Sequence, residues 1–319
     1  MDDRELLLRL AAGASSGDVL AREAGITRAA VWKRIEGLRA AGLRIDARPG
    51  RGYALSAPLE LLDAARLRQG LSAPAAAALQ ALEVAWVLDS TSTELLRRPP
   101  GPGVEVLLAE RQEAGRGRMG RRWVSPLGGQ VCLSVRRGFN GGLARLGGLS
   151  LVAGVAVAEA LRGCGYGQVG LKWPNDLLAD GRKLAGLLVE GGGEHGGPVH
   201  AVIGVGINVD LGDAGEGIDQ AWTDLTRLGG RTPSRNDVAI AVLDALLPAL
   251  ELFDREGLAA FQSRYAALDV LAGHPVRVLD SRGGFEGQAL GLAPDGALRV
   301  AAGDGERRVH AGEVSVRRQ

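Results

Sequence analysis

Between Ser16 and Gly42 the chain reads SGDVLAREAGITRAAVWKRIEGLRAAG, and this segment constrains its own backbone more tightly than any other. Ala21, Gly25 and Val31 stand at the spacing of two helices joined by a sharp turn. A small residue lets the helices approach, a glycine supplies the positive φ of the turn, and an apolar side chain plugs the core between them. Thr27 is a good cap for the second helix. Val31, Ile35 and Leu38 recur at the i, i+4, i+7 spacing of a buried stripe, leaving Arg28, Trp32, Lys33, Arg34 and Arg39 on or near the other face. LRIDARPGRGYALS follows, two short β-like runs around Pro49-Gly50-Arg51-Gly52, which predicts the wing of a winged helix-turn-helix over residues 1–63.

Charge supports a nucleic-acid role for this segment only locally. The whole chain has 38 Lys and Arg against 37 Asp and Glu, a net of +1 that favours no partner, whereas Val19 to Arg51 holds eight bases and three acids, a local +5. Helix residues 28 to 34 are expected in the major groove, with Thr27, Arg28, Lys33 and Arg34 as contacts, and Arg48 and Arg51 along the phosphates or minor groove of operator DNA.

The length of 319 residues suggests two or three domains. The 49 glycines and 13 prolines forecast many tight turns, while 46% hydrophobic residues is a globular composition. Two cysteines, Cys132 and Cys164, make neither a disulfide framework nor a metal knuckle by themselves, and no secretory signal is legible, so a cytoplasmic protein is expected. The most apolar stretch, Leu149 to Leu161, is interrupted by Gly154 and Glu159 and is shorter than the roughly 18 residues of a membrane span.

After a helix-and-linker stretch from Leu59 to Leu82 the pattern becomes strands, glycine-rich turns and a helix from about Leu143 to Leu161. A strand ending at Asp89-Ser90-Thr91-Ser92 gives way to helical TELLRR, which places hydroxyls where a helix begins and a small polar ligand can be bonded. Residues 111 to 122 hold five arginines and one acid, Glu113, interleaved with Gly115, Gly117 and Gly120. Gly115 to Gly120 formally matches G-x-G-x-x-G, but Trp123-Val124-Ser125-Pro126 leads into another extended run where a dinucleotide fold needs a helix. No Walker phosphate loop exists. A flexible cationic loop suited to enclosing a phosphate-bearing ligand remains.

Only three residues are lysine: Lys33, Lys172 and Lys183. Lys172-Trp173-Pro174-Asn175-Asp176 bends at the proline, and Gly181-Arg182-Lys183 opens the next strand, so two of the three flank one hairpin. A compact ammonium suits a place beside a reacting carboxylate and α-phosphate where a guanidinium fork is too wide. VHAVIGVGINVD then puts Gly204 and Gly206 where a ligand approaches strand backbone closely.

Four motifs in order, Gly115-Arg116-Gly117-Arg118-Met119-Gly120-Arg121, Lys172-Trp173-Pro174-Asn175-Asp176, Gly181-Arg182-Lys183-Leu184-Ala185-Gly186 and Gly204-Val205-Gly206-Ile207-Asn208, resemble those of the biotin-protein ligases. With the winged helix-turn-helix in front, the whole chain is similar to their bifunctional bacterial form, which also represses the biotin operon. The resemblance implies an α+β multi-domain protein: the DNA-binding domain at 1–63, a mixed α/β ligase domain at 64–269 and an SH3-like β-barrel at 270–319. Within the last, turns are expected at Ser281-Arg282-Gly283-Gly284, Pro294-Asp295-Gly296 and Gly303-Asp304-Gly305.

The implied reaction joins biotin's carboxylate to the α-phosphate of ATP and then passes biotin to a lysine of the biotin carboxyl carrier protein of acetyl-CoA carboxylase. By the resemblance, Ser90, Thr91, Gln112, Gly115, Arg116, Gly117, Arg118, Lys183, Gly186, Gly204 and Gly206 hold biotin. Arg118, Arg121, Trp123, Lys172, Asn175, Asn208 and Trp222 surround the nucleotide. Lys183, Arg116, Arg118 and Asp176 carry catalysis, with Asp176 toward Mg2+. The family often has Asn after Asp-Ser-Thr, where this chain has Ser92. It also has an acidic Gly-rich lid, Asp210 to Asp224, with five acids and no base; Trp222 in it is placed to cover adenine, and incomplete ordering is expected. A homodimer formed with biotinyl-AMP through the central sheet edge and glycine loops is implied for operator binding. A lipoate-type ligase on a related fold and a non-catalytic nucleotide-sensing repressor are the alternatives.

Overall fold

A computed structural model describes residues 1–48, 50–99, 101–140, 142–193, 199–279, 283–303, 305–312 and 315–318. Pro49, Ser281, Arg282 and Asp304, which fall in expected turns, lie outside the described residues.

The N-terminal part consists of α1 (Asp3–Ala11), α2 (Gly17–Ala24), α3 (Arg28–Ala40) and the antiparallel hairpin β1 (Ile45–Arg48) with β2 (Gly52–Leu55). Local chemistry accounts for the turn. Gly25 ends α2 in the left-handed region at φ 63°, and Thr27 caps α3 by accepting from the Ala30 N–H. Val31, Ile35 and Leu38 are buried with Leu6, Leu7, Leu10 and Leu20 in a separate core.

The middle of the chain contributes α4 (Ala64–Gly70), α5 (Ala73–Ala78), β3 (Leu79–Leu88), α6 (Thr91–Arg97), β4 (Val104–Gln112), β5 (Gln130–Phe139), α7 (Leu149–Gly163), β6 (Val169–Lys172), β7 (Asp176–Ala179), β8 (Arg182–Gly193), β9 (Val199–Asn208), α8 (Leu225–Gly229), α9 (Arg235–Glu256) and α10 (Gln262–Ala266). Its seven strands lie in the order β3-β4-β5-β9-β8-β7-β6, with only β3 and β4 parallel. Alternation along β4 sends Val106 and Leu108 into the large core with α7 and α9, and Leu107 to the opposite face against Leu95 of α6. The helix expected from Leu143 is shorter than its apolar run: a 3-10 turn at Leu143–Leu146 stops at Gly148, whose φ of 85° opens α7 afresh.

The C-terminal part is a five-stranded antiparallel sheet, β13 (Gly305–Val309), β12 (Leu298–Ala302), β11 (Phe285–Leu292), β10 (Pro275–Leu279) and β14 (Ser315–Arg318) in that spatial order. Val276, Val278, Leu298 and Val300 continue the large core, and Trp173 Nε1 donates to the Gly296 carbonyl at 3.0 Å. No described helix is long and apolar enough to cross a membrane.

The N-terminal part is seated on the roots of two loops. Leu127 completes its apolar core and donates its N–H to the Ala41 carbonyl at 2.8 Å; Arg44 stands 3.8 Å from Asp210. Behind this seat lies a buried junction. Arg235 and Glu110, each 3% exposed in side chain, pair at 2.7 Å, while Glu110 also accepts from the Leu62 N–H and Arg235 donates to the Gln130 carbonyl.

Candidate active site

One cavity of about 840 Å3 opens on the α6 side of the large sheet and runs from the start of α6 to the C-terminal sheet. Strand register builds its floor. Gly186 pairs with Gly206, Leu188 with Gly204 and Ser134 with Gly204, so three glycines and a serine meet on β8, β9 and β5. A Cβ at Gly204 would stand 2.5 Å from Ser92 Oγ, and one at Gly206 would stand 2.6 Å from the Trp123 ring. The floor is therefore glycine because side chains already fill the space above it.

The end beside α6 is neutral and polar. Ser90 caps α6 through Thr93 N–H, the Gln112 Oε1 accepts from the Thr91 N–H at 2.8 Å, and Ser134 Oγ shares hydrogen bonds with Thr91 Oγ1 at 2.7 Å and Ser92 Oγ at 3.0 Å. All three serine and threonine side chains at 90 to 92 are buried. Such hydroxyls can both donate and accept, which suits a small ligand bearing N–H and C=O together.

The other end is cationic. Lys172, Lys183, Arg118, Arg121 and Arg317 line it around the Asp176 carboxylate, and Asp219 of the lid also lines the cavity. Lys183 Nζ lies 2.7 Å from Asp176 Oδ1 and 5.6 Å from the centre of the Trp123 ring. A bulge aims it: β7 and β8 pair Leu177 with Ala185 and Leu178 with Lys183, leaving the buried Leu184 unmatched. The Lys183 backbone is clamped as well, its N–H to the Ala221 carbonyl and its carbonyl from the Thr223 N–H, each at 2.9 Å. Burial pushes the Lys172 ammonium below its ordinary value; Asp176 opposes this, while Lys183, Arg121 and Arg317 add to it. Burial likewise lowers Arg118, against Asp176 and with Arg121. Cations crowded this closely call for a polyanion.

The arginine-glycine segment closes into a hydrogen-bonded turn. Trp123 donates its N–H to the Gly115 carbonyl at 2.8 Å, Gly117 to the Arg121 carbonyl at 2.7 Å, and Met119 and Gly120 take positive φ between them. Gly115 thus serves the base of the turn, and it alone of the expected biotin-side residues is absent from the cavity lining. Arg116 pairs with Glu190 at 3.0 Å and with Thr93, and Arg118 bonds Asn175 Oδ1 and the Gly312 carbonyl. Trp123 rests on Gly186 and Gly206 with its Nε1 on Gln130, at the junction of the polar and cationic ends. Asn208 links the same Gln130 to the Lys183 and Thr223 carbonyls.

The acidic lid folds around its tryptophan. A 3-10 stretch at Gly212–Gly217 lets the Trp222 ring pack directly on Gly215, and the Arg227 guanidinium lies 3.8 Å from the ring centre. Glycine at 215 is what admits the indole. Sequence reasoning missed Ser134, Gln130 and Arg317, which reach the site through strand pairing and domain packing rather than through any local motif.

A bifunctional ligase/repressor BirA from Salmonella typhimurium is 39% identical to this chain over 95% of it and 93% of the relative. The chain belongs to the biotin protein ligase family. The biotin/lipoate A/B protein ligase family matches residues 85–208, an HTH domain residues 4–54, and the biotin protein ligase C terminal domain residues 272–317. A biotin--[acetyl-CoA-carboxylase] ligase from Mycobacterium tuberculosis is 36% identical over 73% of this chain and 88% of its own length. The structure of a biotin protein ligase from Aquifex aeolicus in complex with biotin and ATP covers 75% of this chain and 100% of its own, at 28% identity and a TM-score of 0.66.

The N-terminal basic residues divide in two. Thr27, Arg28, Lys33, Arg48 and Arg51 are exposed on α3 and the hairpin. Arg34 instead donates to the Met1 carbonyl and faces Asp3, and Arg39 bonds the Ile45 carbonyl and Glu36. Arg34, named with them from the sequence, is half-buried, and its guanidinium ties α3 to the chain's start.

Proposed function

We propose that this chain activates biotin with ATP to biotinyl-5'-AMP, transfers biotin to a lysine of the carboxyl carrier protein of acetyl-CoA carboxylase, and represses biotin synthesis genes as a DNA-binding dimer with biotinyl-AMP bound. The observation that carries the enzymatic half is the polarity of one cavity: a buried hydroxyl and amide cluster at one end, five cations gathered around Asp176 at the other. Ser90, Thr91, Ser92, Ser134 and Gln112 would take the ureido ring, and the glycine floor with Trp123 the ring system and chain. The biotin carboxylate oxygen would then meet the α-phosphorus beside Lys183. That oxygen forms the new P–O bond as the bond to pyrophosphate breaks, and Lys183, Arg118 and Arg121 offset the charge on the crowded oxygens. Asp176 holds Lys183 in place. In the second step the carrier amine attacks the acyl carbon and AMP leaves. Asn175, Lys172, Asn208 and Trp222 fit the nucleotide.

Among the described residues no three His, Cys, Asp or Glu gather into a metal site. Asp176 offers one carboxylate, half engaged by Lys183, so Mg2+ would arrive on ATP and keep phosphate and water oxygens for most of its shell. The residues fit that mode and no protein-built cage. The three parts would divide at 63 and 269, the C-terminal sheet closing as an SH3-like barrel, in a cytoplasmic protein.

The hydroxyl cluster favours biotin over lipoate, whose dithiolane ring would leave those buried groups unpaired. Incubation with ATP, Mg2+, a carrier domain and either acid tests this. Biotin transfer is expected; lipoate transfer alone overturns the reading, and no transfer favours a sensor without catalysis. Operator binding should require biotin and ATP and weaken steeply with salt.

A further inference from the structure

On α3, burial and exposure follow the helix turn. Val31, Ile35 and Leu38 face the core, and Arg28, Ala29, Trp32, Lys33, Gly37 and Ala40 face solvent. One side chain is out of place on that outer face. Trp32 is 56% exposed, and among the described large apolar residues only Met119, at the cavity mouth, exceeds it.

We propose that Trp32 is the specificity-determining residue of α3, packing its indole against the C5-methyl of a thymine in the major groove of the operator. This rests on the reading of the N-terminal domain as DNA-binding. Position comes first: Trp32 is the fifth residue of a helix that begins at Arg28, and recognition helices touch base edges with their N-terminal turns. Surroundings come second. Ala29, Gly37 and Ala40 on the same face are small, and a Cβ on Gly37 would meet nothing within 4 Å. Glycine there costs about 1 kcal/mol against alanine in a helix interior and makes no internal contact in return, which fits a face kept low for close approach. Charge comes third: Arg28, Lys33, Arg48 and Arg51 are exposed around it, so phosphates can be held on either side while an uncharged ring points between them. Apolar contact is how a thymine methyl is read in the major groove, and the indole N–H, a donor only, adds no acceptor that would favour cytosine's amino group.

The test uses the full-length protein with biotin, ATP and Mg2+. Duplexes are selected from a random pool, and the preferred one is remade with deoxyuridine for each thymidine in turn, which removes the methyl alone. The expected result is one symmetric pair of positions where deoxyuridine weakens binding about fourfold per half-site, the worth of roughly one buried CH2. Trp32→Ala should bind the thymine and uracil duplexes equally while keeping the salt dependence on unrelated DNA. Trp32→Phe, which keeps an aromatic face, should restore part of the discrimination, and it serves as the second variant if alanine lowers the thermal midpoint. Sequence-selective binding in which every thymine-to-uracil effect is the same in both variants overturns the proposal alone. A failure of the wild type to bind any duplex overturns the repressor reading together with it.

Discussion

Lys183 reaches Asp176 at 2.7 Å from a backbone held on both sides, so the Asp176 carboxylate is committed to the cation set by a strand bulge. The pair fixes where the ammonium points. Three arginines and Lys172 lie around it without such a partner at that distance, and their charge is what a triphosphate meets.

Replacing Lys183 therefore removes a placed charge rather than a structural prop. Lys183→Ala should lower biotin-dependent pyrophosphate release by about 10² to 10³, the usual effect of losing one preorganised electrostatic group. Thermal unfolding should stay near that of the wild type. Normal pyrophosphate release from the variant would remove Lys183 from its role.

Two glycines should separate the substrates. Gly206→Ala drives a methyl toward the Trp123 ring, which a 2.6 Å approach does not allow, and should raise the KM for biotin. Gly215→Ala displaces Trp222 and should raise the KM for ATP while leaving that for biotin near wild type. Steady-state kinetics with each substrate varied decides it, and equal effects of either variant on both substrates would contradict the arrangement.

The Arg235–Glu110 pair is buried on both sides, so breaking it leaves a desolvated charge. Arg235→Ala should cost about 3 to 5 kcal/mol in urea unfolding. The double variant Glu110→Leu with Arg235→Met should recover much of that, because no charge is then stranded. A loss in the double variant equal to the single would mean that the hydrogen bonds to Leu62 and Gln130 dominate.

Asp269, beside β6 and just before the C-terminal sheet, has its carboxyl raised above 3.8 by burial, against hydrogen bonds from the 271 and 272 N–H groups. The folded state thus binds this proton more tightly than the unfolded chain does. Stability from this group is present below 3.8 and is lost as pH rises through the folded value. Asp269→Asn should flatten that slope and raise the thermal midpoint at pH 7. A midpoint profile parallel to that of the wild type would refute this.

What the sequence disclosed was set within a few residues. Gly25, Thr27 and Ser90 act through their own turns and caps, so their roles were readable without the fold. The four ligase motifs were readable for the same reason, and all but Gly115 of the residues expected around biotin line the cavity. What stayed hidden depends on distant partners. Ser134 joins the site because β5 pairs with β9, Arg317 because the C-terminal sheet packs over Trp173, and Arg34 bonds the Met1 carbonyl, a partner 33 residues away. In the lid, glycine content speaks only of backbone freedom, whereas the contacts of the Trp222 ring with Gly215 and Arg227 show what that freedom is used for.

The contact between the Leu127 N–H and the Ala41 carbonyl has a mechanical meaning. Ala41 ends α3, and Leu127 ends the segment that leaves the arginine turn; Arg44 reaches Asp210, where the lid begins. The bearing of the DNA-reading helix is thus set by the two points from which the ligand's covers spring. A main-chain bond of this kind cannot be remade by a rotamer, so a shift of either root by a fraction of an ångström must either tilt α3 or break the seat.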